Sequence, residues 1–278
     1  MNQRQDSSEP VYKQTRVQPA AVIFYILCGL IFLFLIAPLV IVIPISFSSA
    51  KYLQFPPTEF SLQWYKNFFG TDEWVRGALN SLKIATLTSL LASALGIPTA
   101  LALTRYKFKG KQLIQSFLIS PMITPVIIIA IAAYFFFANL HMIGSTWALV
   151  ISHSILAIPI VLVTVSASLH GFDQTLELAA MSLGANRLKT FFKITFPLIR
   201  PGIVSGALFA FITSFDEVVL AIFVATYRSI TLPKHMWAAM RQEIDPTIAA
   251  VSSLLVTGSI IIILIVGIVQ RRGKHIEK

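Results

Sequence analysis

Apolar residues in this chain come in long uninterrupted runs, neither the alternation of a half-buried strand nor the narrow stripe of a surface helix. Residues 20–47 carry no charge, and 78–104 carry only Lys83. Residues 112–172 contain no Asp, Glu, Lys or Arg, a stretch too long for one helix. Asn139, His141 and Gly144 mark a turn inside it, dividing it into 113–138 and 146–169. Two further runs cover 202–225 and 247–270, the first interrupted by Asp216 and Glu217. A helix crossing a bilayer needs about 20 mostly apolar residues. The pattern therefore predicts six spans, with both termini on one side.

Composition agrees with lipid as the solvent: 56% of residues are hydrophobic and 12% charged, about half the charge of a soluble domain. The net charge of +10 could point to nucleic acid, but its distribution points to topology. Arg4, Lys13 and Arg16, then Arg105, Lys107, Lys109 and Lys111, then Arg187, Lys189, Lys193 and Arg200, and finally Arg271, Arg272, Lys274 and Lys278 all fall on one side of the predicted spans. The other side holds Lys51, Lys66, Arg76, Lys83, Arg228, Lys234 and Arg241. The richer side is expected to be cytoplasmic, placing both termini inside and no part of the function on nucleic acid. The basic N-terminus followed by an apolar run imitates a signal peptide. Its uncharged stretch is longer than the roughly 7–15 residues of a signal core, so it reads as a retained first helix. Cys28 is the sole cysteine, which excludes an internal disulfide and a cysteine-ligated metal.

Between the first two spans, Trp64, Tyr65, Phe68, Phe69 and Trp74 with Pro56 and Pro57 suit a membrane interface or a docking surface. Pro38, Pro44, Pro98, Pro121, Pro125 and Pro159 lie in or beside spans, where neighbouring helices can satisfy freed carbonyls; this argues for a packed bundle with broken helices. His153, between Ser152 and Ser154, fits an interhelical polar contact better than a proton relay. Tyr134 and Phe135 to Phe137 fit lipid or packing contacts better than a substrate cage.

The one long polar loop, 171–201, carries its own pattern. Thr175 to Leu183 contains helix formers with Leu176, Ala179, Ala180 and Leu183 at helical spacing, and Gly184 can end that helix in a left-handed conformation. A second amphipathic piece over 188–196 has Lys189 and Lys193 on its polar side and is expected to be limited by Pro197 and Pro201. By itself this is an amphipathic hairpin at the membrane surface, with or without a partner. The loop resembles the signature of the membrane subunits of bacterial ATP-binding-cassette importers of the type I permease fold: Glu-Ala-Ala, three residues, Gly, nine residues, Ile, one residue, Leu-Pro. Ala179, Ala180, Gly184, Ile194 and Pro197 match in type and spacing. Leu178 stands at the Glu position with Glu177 one residue early, and Phe196 stands for the Leu.

The resemblance implies an all-α membrane protein, with a permease domain over 20–270, a cytoplasmic coupling helix in the loop, and cytoplasmic tails over 1–19 and 271–278. It implies that Glu177, Ala179, Ala180, Gly184, Ala185, Ile194 and Pro197 couple to an ATPase. It further implies a second permease subunit, two ATPase subunits, a periplasmic binding protein and an inner-membrane location. ATP and magnesium would be used by the partner, with no cofactor on this chain. The displaced glutamate shifts the expected contact from an ion pair at the first position to close packing around Ala180 and Gly184.

Two adjacent carboxylates inside an apolar run are costly, about 2.5–3.5 kcal/mol for an Asp at a helix centre on insertion scales. Asp216 and Glu217 read either as a helix break or buried ion pair, for example with Lys83, or as a cation-attracting element of a translocation path. Ser214 to Val218, Thr231-Leu232-Pro233 and Met236-Trp237 are similar to the spermidine/putrescine branch, particularly its second permease subunit. That branch implies a small organic solute, a polyamine first, an opine or amino-acid derivative as the alternative. Gly202 and Gly206 form a GxxxG, compatible with close helix packing. No HExxH, Gly-Asp or Walker A motif occurs, and Gly202 to Gly206 has the wrong spacing for a rhomboid-like serine. These absences leave an intramembrane enzyme unsupported and require a separate ATPase for active transport. An ion-driven carrier or channel would use the spans but has no need of the Ala-Ala-Gly loop.

Overall fold

The computed structural model describes residues 19–242 and 245–274, with side chains over 23–241 and 245–261. Of the expected tails, 1–18 and 275–278 lie outside the described residues. The chain forms two compact units, residues 1–64 with 249–278, and residues 65–248.

In the first unit, α1 (Pro19–Ser46) is apolar all round, and its side chains are largely uncovered by the chain itself. That is the surface a lipid-facing helix presents. The loop that follows is pinned by Ser48 and Phe60 in a single antiparallel bridge, and by Trp64 Nε1 donating to the Ser48 carbonyl at 2.8 Å. α2 (Gln63–Gly70) leads out of this unit. α12 (Thr247–Lys274) returns to it and covers the expected sixth span.

The second unit is organised around α3 (Asp72–Arg105), α6 (Thr146–His170) and α9 (Phe196–Phe215), which pack most extensively on one another. Without water to drive helices together, close approach depends on small residues. Gly96 lies against Val161, and Gly206 against the Val161 backbone. Gly202 lies against Ser168, whose Cβ is 2.6 Å from where an added methyl would sit. The GxxxG is thus a packing device on α6. One core cluster, including Ala92, Val161, Val165, Leu169 and Ile199, fills the Arg105 end of this trio. Another, including Ile84, Phe137, Leu149, Leu220 and Val224, fills the opposite end, where α5 and α10 join.

The third span, expected over 113–138 in a bundle of broken helices, is broken: α4 (Lys111–Ile119) and α5 (Val126–Asn139) are bent by 98° at a break. Pro121 and Pro125 withdraw two amide donors there. Ser120 Oγ fills part of the gap by donating to the Phe117 carbonyl at 2.7 Å, and Thr124 Oγ1 donates to the Ser120 carbonyl at 2.9 Å. With four other helices long and apolar enough to cross, the described residues supply four spans, or five if the bent pair is one. α12 adds a further apolar helix.

The fifth span is displaced. Pro197 and Pro201 do not limit the helix before them. α8 (Arg187–Thr190) runs through a π turn, Phe191–Thr195, straight into α9, and Pro201 sits inside α9. The wider turn, in which the Phe196 amide donates back to Phe191, lets the helix pass the proline without a stop. At the far end the helix stops at Phe215 rather than running to 225. α10 (Val219–Val224) begins after a break, and α11 (Leu232–Gln242) follows.

The aromatic segment between the first two spans divides. Trp74 and Phe68 are buried, with the Trp74 ring edge-on to His235 at 4.3 Å, whereas Tyr52, Phe55, Phe60 and Phe69 stay exposed. Of the later run, Phe137 is buried while Tyr134, Phe135 and Phe136 are exposed.

Candidate functional site

The loop expected to couple folds as α7 (Thr175–Ser182), a turn and α8. Asp173 Oδ1 accepts from the Thr175 amide at 2.9 Å, and this bond holds its carboxyl below the ordinary range. Gly184 ends α7 at φ +89°. The Gly184 amide donates to the Met181 carbonyl at 3.0 Å and the Ala185 amide to the Ala180 carbonyl at 3.1 Å. That is a Schellman ending, with the two alanines as its apolar contact. Asn186 then caps α8 through its side chain, which accepts from the Lys189 amide at 2.8 Å.

Each small residue singled out from the sequence therefore has a place. Ala179 and Gly184 are exposed, while Ala180 and Ala185 are half-buried and bonded to each other. A methyl at Gly184 would meet nothing within 4 Å, so the space beyond it is free in this chain. Ile194 is half-buried in the π turn, and Pro197 is exposed in the first turn of α9. Leu178, Leu188 and Phe192 are exposed, and Leu183 is 89% exposed.

Glu177 behaves differently from its neighbours. Its Oε2 lies 3.2 Å from Arg105 Nε, and its Oε1 accepts from Thr195 Oγ1 at 2.7 Å. The side chain faces the chain's own core-proximal end rather than outward. Arg105 and Thr195 were not singled out from the sequence. In the sequence Arg105 is one basic residue among several, and no spacing rule links it to Glu177.

Asp216 and Glu217 lie at the other end of α9, about 30 Å away for a 20-residue helix. They stand at the break between α9 and α10, which is the helix-break reading. Glu217 is half-buried, and its Oε1 accepts from the Leu220 amide at 3.0 Å, capping α10. The opposite end of α10 is held by Lys234, whose Nζ donates to the Ala225 carbonyl at 2.6 Å, and by the Gly144 amide donating to the Val224 carbonyl at 2.9 Å. A short helix in apolar surroundings thus has an anion at its positive end and a cation at its negative end. Burial lowers the affinity of Lys234 for its proton. Asp216 is exposed. Among the described residues the ion pairs are Arg76 with Asp72 and Arg105 with Glu177, so the considered pairing of Lys83 with these carboxylates does not form.

His153 is buried in α6, and its Nδ1 is 2.9 Å from Ser214 Oγ, two residues before Asp216. It makes the interhelical contact expected of it. Among the described residues no cluster of His, Cys, Asp and Glu could hold a metal ion.

Comparison with known proteins agrees with this architecture. The Haemophilus influenzae spermidine/putrescine transport system permease protein PotC is 30% identical over 245 residues, covering 88% of this chain and 95% of the relative. The Escherichia coli putrescine transport system permease protein PotI is 33% identical over 234 residues, covering 81% and 82%. In three dimensions the chain is similar to a bacterial ABC transporter involved in import of the acidic polysaccharide alginate. There the TM-score is 0.71 at 16% identity, over 95% of this chain and 99% of that one. It is also similar to the MetNI methionine ABC transporter in an inward-facing form, with TM-score 0.59 at 18% identity over 72% and 94%. These likenesses establish the all-α type I permease fold. Residues 92–275 match the family of binding-protein-dependent transport system inner membrane components, and this chain belongs to that family.

Proposed function

We propose that this chain is one of two permease subunits of an ATP-driven importer, that its α7–α8 hairpin docks on an ATPase subunit, and that its solute is a small organic polycation of the polyamine class. The observation that carries the coupling reading is the hairpin itself. Its helix ends on a left-handed glycine with open space beyond, and it exposes Leu183, Leu188 and Phe192. Large apolar side chains around a glycine that admits close approach suit a partner's groove. The family supports the need for a binding protein, and the named relatives support polyamine cargo.

This arrangement supports an alternating-access cycle. Two ATPase subunits close on ATP and magnesium, which they bind, and draw the two permeases' hairpins together. Because the hairpin continues through the π turn into α9, its displacement reaches the helix whose far end abuts Asp216. The permease pair then alternates its opening between the binding protein outside and the cytoplasm. Asp216, exposed at a helix break, supplies negative charge where a cationic solute would pass.

Co-purification in mild detergent with the candidate ATPase, followed by uptake of labelled putrescine into proteoliposomes, tests the reading. The wild-type should retain the ATPase and take up putrescine when ATP and the binding protein are present. Gly184→Leu should insert normally but lose both. Retention of the ATPase by Gly184→Leu at wild-type level would refute docking at the glycine. ATPase retention without putrescine uptake would refute the cargo while leaving the docking intact.

A further inference from the structure

A hairpin that transmits force must be fixed to the helices it moves, yet α7 buries none of its residues. Beneath it lies a cavity of about 350 Å³ lined by Leu101, Arg105, Tyr106, Met181 and Thr190 among others. A helix above a cavity lacks the apolar contacts that ordinarily hold an element in place. Polar links can help to fix its position.

Glu177 supplies them. One oxygen meets Arg105 at the end of α3, and the other accepts from Thr195 in the π turn that opens α9. Arg105 and Glu177 are only 12% and 16% exposed, so the pair is little screened by water. The Arg105 guanidinium also lies over the Phe172 ring at 4.6 Å, which orients it toward the hairpin. A single carboxylate therefore joins three segments: the coupling helix, the end of α3 and the start of α9. The hairpin's covalent route to α9 passes through a π turn, where the helical ladder is locally altered.

We propose that Arg105, Thr195 and Glu177 form a latch that fixes the hairpin to α3 and α9, so that docking displacement moves both helices together. Arg105 and Thr195 are positioning residues: they act through Glu177 and touch neither ATPase nor solute. The latch rests on the coupling reading above. It also accounts for Glu177 standing one residue before the signature position, where its side chain is covered while that of Leu178 is exposed.

The test uses the full importer complex, with spin labels at Ser182 on α7 and Lys107 just beyond α3, in a Cys28→Ser background whose labelled form still retains the ATPase. The distance distribution is recorded with and without ATP and vanadate. The latched chain should give one narrow distribution in both states. Arg105→Gln should broaden it at least two-fold while the ATPase stays bound. Thr195→Val, nearly isosteric and leaving the ion pair in place, should broaden it by a smaller amount. Exchanging the charges, Glu177→Arg with Arg105→Glu, should narrow it again. Unchanged widths in both single variants, with the ATPase retained, would overturn the latch alone. Failure of the unsubstituted chain to retain the ATPase would overturn the coupling reading and the latch together.

Discussion

Asp216 and Glu217 are neighbours in sequence, but the backbone gives them different work. Glu217 accepts the Leu220 amide and closes the N-terminus of α10, while Asp216 stays exposed. Their substitutions should therefore separate. Asp216→Asn removes a charge whose attraction for a cation at 4 Å is about 1–4 kcal/mol between bulk water and a partly shielded site. Putrescine uptake should show a several-fold rise in KM with thermal unfolding in detergent unchanged. Glu217→Ala removes a cap worth about 1 kcal/mol. It should lower the unfolding temperature, and Glu217→Gln, which keeps an acceptor, should restore most of it. If Asp216→Asn leaves uptake kinetics untouched, the carboxylate has no part in the path. His235 offers a second residue-scale prediction. Burial against Trp74 lowers its pKa below the ordinary 6.5, outweighing the opposing pull of Glu73 and Asp245. A depressed folded pKa means the neutral ring is favoured in the fold. Its contribution to stability is present above pH 6.5 and lost as pH falls through the folded value. The unfolding temperature should decline on acidification below neutrality, and His235→Gln should flatten part of that decline. An identical slope in both proteins would show that His235 is not its source.

Among the elements, the contact of α6 with α9 carries the sharpest constraint. Gly202 faces Ser168 so closely that an added Cβ would meet both its Oγ and its Cβ, and neither backbone can yield without parting the two helices. Gly202→Ala should destabilise by about 1–3 kcal/mol, the usual range for overpacking. Ser168→Gly in the same chain should recover most of the loss. Absence of recovery in the unfolding temperature would place the cost elsewhere. The same elements show what could be read from sequence. The runs of apolar residues gave the long helices, and the left-handed Gly184 was legible because few other residues end a helix that way. The 98° bend of the third span was signalled by Pro121 and Pro125 only as a break, since a proline marks where a helix is interrupted and leaves the angle to tertiary packing. The passage of α9 through Pro197 was not legible. A proline predicts a stop unless a widened turn absorbs it, and the π turn is a tertiary outcome. The pairing of Glu177 with Arg105 was hidden for the same reason: it joins the end of one span to a loop two spans later.

At the scale of the whole molecule, the order of charges along the chain is also an argument about sidedness. Lys107, Lys109 and Lys111 follow α3, and Arg187, Lys189 and Lys193 line the hairpin, so two separate segments concentrate basic residues. They also meet in space. Arg105 at the end of α3 reaches Glu177 in α7, and Arg187 lies over the Tyr106 ring at 5.8 Å. Two basic segments joined by direct contacts must share one side of the membrane, whatever the exact ends of the spans between them. The excess of Lys and Arg predicts that this side is the cytoplasm, where an ATPase could reach Gly184. The chain's single cysteine makes the point measurable. In a Cys28→Ser background, cysteines at Lys109 and Lys189 should be shielded from a membrane-impermeant thiol reagent in intact cells and react after permeabilisation. A cysteine at Phe60, exposed in the loop after α1, should react in intact cells. Labelling of Lys109 or Lys189 positions from outside would invert the topology, and the hairpin could then meet no cytoplasmic ATPase.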